Sequence, residues 1–218
     1  MLRHLHIATG VAAAGLGLAA CSGSSGPVAL GPGDVVSQSA AQQAIPHAQV
    51  LESPFSFSLR GAAGSTLAGV CNRSFPSEAL RKQREQTNYT IPGPQGHPVT
   101  AASNEVVSYR SEDAAGQAFD QLRQAIDACP SSYTLPGGPR LTQSHAVSLG
   151  AGLAPRTLSF AQYVDQSGQP VWEVNVYQFD GPYLSAVYAF DPSQSTAMSE
   201  ARKLATDADA KIERLVSE

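Results

Sequence analysis

Apolar residues are arranged along this chain in three patterns. The first is a solid block, Ile7 to Ala20, which carries no charge. The second is a helical stripe. Over 112–129 (EDAAGQAFDQLRQAIDAC), Ala115, Ala118, Phe119, Leu122, Ile126 and Cys129 are spaced to share one face of a helix. Ser111 is a good N-cap, Glu112 and Asp113 suit the positive first turn, and Pro130 ends the element. A second stripe, Ala197, Ala201, Leu204, Ala208, Ile212 and Leu215, predicts a helix over about 192–216. Asp191 is its expected cap, with Pro192 in the first turn and Gln194 completing a capping box. A shorter helix is predicted for 77–86 (SEALRKQREQ), where Glu78 precedes Lys82 by one helical turn.

The third pattern is alternation, and it predicts strands at 104–110, 157–164, 171–179 and 183–190. A turn containing Gly168 and the pair Asp180-Gly181 connect the last three. Connections this short make an antiparallel meander. Within 171–179, Trp172, Val174 and Val176 point to one side, and Glu173, Asn175 and Tyr177 to the other. The first side is expected to meet the helices. The predicted architecture is therefore α+β: a single domain built on an antiparallel sheet that helices pack on one face.

The solid block belongs to a different role. Arg3, flanked by His4 and His6, precedes a core of about 14 apolar residues, the proportions of a secretory signal. A transmembrane helix needs ~20. Leu18-Ala19-Ala20-Cys21 resembles the lipobox of bacterial lipoproteins. The resemblance implies that the Cys21 thiol takes a diacylglyceryl group and that the chain is cut just before it. One acyl chain binds a membrane marginally, whereas two hold firmly at ~0.8 kcal/mol per buried CH₂. Residues 1–20 are thus expected to be the signal peptide. The Gly/Ser/Pro-rich stretch 21–45 reads as a flexible tether, and 46–218 as the folded domain.

Charge and cysteine usage narrow the class. Losing residues 1–20 removes only Arg3, so 13 Lys+Arg face 18 Asp+Glu and the formal net charge moves from −4 to −5. With no basic run, neither nucleic acid nor polybasic lipid recognition is expected. Lys is scarce while Ala, Gly and Pro are plentiful, a bias that goes with a GC-rich, actinobacterial type of genome. Cys71 and Cys129 remain once Cys21 is set aside, and an even pair in an exported protein reads as a disulfide. Free thiols or a metal pair are the alternative, and no His stands at ligand spacing.

Catalytic patterns are missing from the sequence. It has no G-x-S-x-G, Ser-x-x-Lys, H-E-x-x-H, C-x-x-C or P-loop motif. His47, His97 and His145 are widely separated. No catalytic residue, metal or cofactor is expected. The face away from the helices would present Tyr109, Tyr163, Asn175 and Tyr177 with Glu173 beside them. Such rings with polar tips suit sugar-like or amphipathic ligands, or a protein partner.

Three stretches, LAGVCNRSFPSEAL (67–80), EVVSYRSEDAAGQAFDQLRQAIDACP (105–130) and WEVNVYQF (172–179), carry a family resemblance. Over about 60–215 the chain resembles the extracellular sensor domain of the mycobacterial kinase PknH and stand-alone actinobacterial lipoproteins of the same shape. The resemblance implies an α/β domain with a cleft, a Cys71–Cys129 pairing, and ligand sensing without catalysis. The chain departs from that pattern in having one possible bridge rather than two, and no kinase or transmembrane segment. The expected function is a non-catalytic ligand-binding or sensor-like lipoprotein of the cell envelope. It would be held by diacylglyceryl-Cys21 at the outer face of the cell membrane and would engage an envelope ligand or protein partner. The alternative is a protein–protein adaptor that modulates an envelope enzyme or kinase.

Overall fold

The computed structural model describes residues 27–51, 70–93, 98–134, 140–166 and 169–218. The signal, the lipobox, Gly168 and His97 lie outside them. Eight strands form one antiparallel sheet: β1 (Gln49–Val50), β2 (Arg81–Pro92), β3 (Pro98–Tyr109), β4 (Ser132–Thr134), β5 (Arg140–Ala146), β6 (Thr157–Gln166), β7 (Gln169–Asp180) and β8 (Tyr183–Asp191). Their order is β1-β2-β3-β8-β7-β6-β5-β4. The predicted β6–β7–β8 meander is present, and β8 pairs with β3 to join it to the β2–β3 hairpin. Gly181, at φ +49, makes the tight β7–β8 turn, where a side chain would also strike Val216. Three α-helices accompany the sheet: α1 (Gln38–Ala44), α2 (Glu112–Asp127) and α3 (Gln194–Ser217).

The α+β class holds, with helices packed on the sheet and one disulfide. On the side of Trp172, Val174 and Val176, the α3 residues Ala197, Ala201, Leu204, Ala205 and Ala208 bury their stripe together with α1. Ser193, rather than Asp191, caps α3 by accepting from the Thr196 N–H, while Asp191 accepts from the Ser193 N–H. Helix α2, capped by Ser111 as predicted, adds a layer on the opposite face. There Phe119, Leu122 and Ile126 pack on Val107, Phe160, Tyr177, Leu184 and Ala186. Cys71–Cys129 bonds the end of α2 to a 3₁₀ turn at Val70–Asn72.

Two expectations are corrected. The helix predicted for 77–86 is a 3₁₀ turn at Pro76–Leu80 followed directly by β2. Pairing with β3 along eleven register partners outweighs the local helical preference. The flexible tether expected over 21–45 does not extend through the described residues 27–45. Residues 27–45 form a strap laid across the domain, with Leu30, Val35, Val36, Ala41, Ala44 and Ile45 buried. Composition concealed this because Gly31, Pro32 and Gly33 shape a 3₁₀ turn within the strap. Its backbone is bonded by side chains of the sheet: Asn104 Oδ1 accepts from the Val36 N–H at 2.8 Å, and the Tyr89 hydroxyl donates to the Val36 carbonyl.

Candidate functional site

The expected tyrosine face does not exist as an open surface. Tyr109 and Tyr177 are fully buried and Asn175 is 2% exposed, because α2 lies over this part of the sheet. Tyr163 is on the other side altogether. It stands directly opposite Trp172 in the β6–β7 register, and directly opposed residues share a face. Its ring meets that of Trp172 edge-on at 5.4 Å. Tyr109, Asn175 and Tyr177 are therefore core residues of the α2 layer, and only Glu173 and Tyr163 keep partial access.

Beneath that layer runs a polar network that alternation did not reveal. Arg84 Nε donates to Glu105 Oε2 at 2.6 Å, and the Tyr188 hydroxyl donates to Glu105 Oε1 at 2.8 Å. Gln162 accepts from the Tyr133 hydroxyl and donates to Glu173 at 2.8 Å. Burial pushes both carboxyls above the usual range. Arg84 and Tyr188 oppose that rise at Glu105, as do Gln162 and Asn175 at Glu173. Tyr188→Phe removes one bond to a buried carboxylate. It is expected to cost about 2 kcal/mol, read as a lower thermal midpoint with an unchanged native spectrum.

The accessible candidate lies at one end of the sheet. β3 pairs with β8 only as far as Ala102↔Ala189. Beyond that, residues 98–101 and 190–192 part, leaving a cleft of about 640 Å³. Ile91, Val99, Val171 and Phe190 form apolar walls, and Thr100 and Asp191 are polar. The volume falls within the ~300–1,000 Å³ of small-molecule sites. Trp172, the chain's only tryptophan, is the β7 register partner of Asp191 and so stands beside the cleft. The described chain begins at the opposite end, where the Tyr183 hydroxyl approaches the Val28 carbonyl at 3.5 Å. The nine residues of β8 separate the two ends by roughly 27 Å.

Near the cleft, α3 carries Glu200. It is 8% exposed, and its Oε2 has no hydrogen-bond partner among the described residues. Burial first and the Asp191 charge second push its carboxyl up to about 7, against a smaller opposing effect of Lys203. The folded state thus holds this proton more tightly than the unfolded chain, so the group lowers stability as pH rises from the ordinary carboxylate range through 7. Glu200→Gln is expected to melt several degrees higher than the parent at pH 8 and to show no gain at pH 4.5. Calorimetry at the two pH values checks this.

Of the histidines, His47 sits in the turn after α1 at φ 67. His145, on β5, meets the Trp172 ring edge-on and bonds Gln194. The two belong to separate surroundings. No protein-family model matches the chain, and no curated protein matches it. Among solved structures, the extracellular domain of PknH from Mycobacterium tuberculosis matches with a TM-score of 0.57 at 13% identity. The match covers 88% of this chain and 98% of that one. The two chains share a fold.

Proposed function

We propose that this chain is a non-catalytic, extracytoplasmic, sensor-like module that binds an envelope ligand in the cleft between β3 and β8. The cleft carries the reading: it has the volume of a small-molecule site, apolar walls and two polar groups. The fold shared with an extracellular kinase domain supports the location, and so do the export signal and the bonded cysteines. Lipid attachment at Cys21 would hold the strap end toward the membrane. The cleft, at the far end of β8, would then face outward into the envelope.

The test uses the mature chain with Cys21→Ser, titrated with muropeptides, polyprenyl phosphates, glycolipids and small sugars. Trp172 fluorescence and thermal midpoint are followed together. A ligand at 100-fold its dissociation constant adds ~2.7 kcal/mol, a rise of roughly 5–10 °C for a domain of this size. Thr100→Phe, which narrows the cleft from its exposed β3 wall, is expected to abolish the response. A response unchanged in Thr100→Phe, or none across the set, overturns the cleft reading and favours an adaptor that docks a protein.

A further inference from the structure

We propose that the β3–β8 cleft takes a ligand with an apolar body and a single cationic head, the head meeting the Asp191 carboxylate and the body lying along Ile91, Val99, Val171 and Phe190. This deepens the ligand-binding reading and rests on it. Charge complementarity carries the inference. Asp191 is the one ionisable side chain among the described residues that line the cleft. One of its oxygens accepts from the Ser193 N–H at 2.7 Å, and no described cation forms an ion pair with it.

A second carboxyl, outside the lining and held protonated at lower pH by its burial and by Asp191, joins this charge as pH rises through 7. Glu200 is more than nine-tenths buried with one oxygen unpartnered, and it feels the Asp191 charge. An anionic ligand entering the cleft meets this field as repulsion, and a neutral one leaves it uncompensated. A cation offsets it, beside half-buried apolar walls that lower the local dielectric and strengthen the attraction. The walls in turn supply the non-polar contact that a bare inorganic cation cannot use.

The inference has a proton linkage. Glu200 is acted on by Asp191 from β8 and by Lys203 from its own helix. A cation arriving beside Asp191 favours the ionised form of Glu200, so binding releases protons and tightens from pH 6 to pH 8.

The experiment compares hexylammonium, 1-hexanol and hexanoate on the mature Cys21→Ser chain, read by Trp172 fluorescence. Hexylammonium is expected to bind at least tenfold more tightly than hexanol at pH 8, with hexanoate the weakest. Asp191→Asn keeps the acceptor for the Ser193 N–H. It is expected to erase the preference for the amine while leaving hexanol binding in place. Equal binding of amine and alcohol, or a preference that survives Asp191→Asn, overturns the cationic ligand class while the cleft itself stands. If none of the three binds competitively with the others, or if Thr100→Phe leaves binding unchanged, the inference and the cleft reading both fall.

Discussion

A chain begun at residue 40 is expected to lose cooperative folding, although everything it lacks looks like linker. The missing part includes Leu30, Val35 and Val36, all buried. Burying such side chains stabilises by roughly 1.5–3 kcal/mol each. The loss also strands polar groups. Tyr89, fully buried, donates its hydroxyl to the Val36 carbonyl, and Asn104, 1% exposed, accepts from the Val36 N–H. Each orphaned group costs about 1–3 kcal/mol. Asp34, which pairs with Arg214 on α3, is lost as well. Together these effects are comparable with the whole ~5–15 kcal/mol that holds a domain folded. Circular dichroism melts of chains beginning at residues 22 and 40 decide the matter. The longer chain should give one sharp transition, and the shorter a broad or absent one. Equal midpoints would show that the strap is dispensable.

The next largest loss is expected from opening the disulfide. Cys71 and Cys129 are 58 residues apart in sequence, and closing a loop of that length removes roughly 4 kcal/mol of unfolded-state freedom. The bond also anchors an unfavourable piece of backbone. Cys71 lies in the left-handed region at φ 53, which costs a residue of its kind roughly 1–2 kcal/mol, whereas the neighbouring Asn72 tolerates the same φ. Cys71→Ser with Cys129→Ser should therefore lower the midpoint by about 8–16 °C. Reductant should lower the parent by a similar amount and leave the double variant unmoved. A double variant as stable as the parent would show that packing of α2 on Val107, Leu184 and Ala186 suffices without the bond.

Much of this architecture was legible in the amino-acid sequence, for identifiable reasons. α2 and α3 each bury one face, so their periods of apolar residues coincide with their geometry, and the β6–β8 meander keeps its two-residue alternation between the α3 side and the α2 side. β2 breaks that rule. Its Arg84 is buried against Glu105 of β3, so a strand with a polar side chain facing the core looks like an exposed helix. Gly31, Pro32 and Gly33 conceal the strap, although Leu30 before them and Val35 and Val36 after them mark it. Alternation fixes sides within a strand and only register fixes them between strands, so the sequence alone does not separate Tyr163 from the face of Tyr177. Nothing in β3 or β7 announces that α2 lies over Tyr109 and Tyr177, so alternation alone leaves both rings looking exposed. The cleft is a property of the fold alone: it opens where β3 runs on past its last pairing with β8, and no local pattern encodes that.

The proposed module requires export, lipid attachment at Cys21 and an oxidised Cys71–Cys129 pair, and intact-mass and peptide mass spectrometry of the protein recovered from a bacterial membrane fraction reads all three at once. The expected result is an N-terminus at Cys21 carrying a diacylglyceryl group, no trace of residues 1–20, and a Cys71–Cys129 cross-linked peptide. A chain that retains residues 1–20 with Cys21 unmodified and free thiols at 71 and 129 would contradict it.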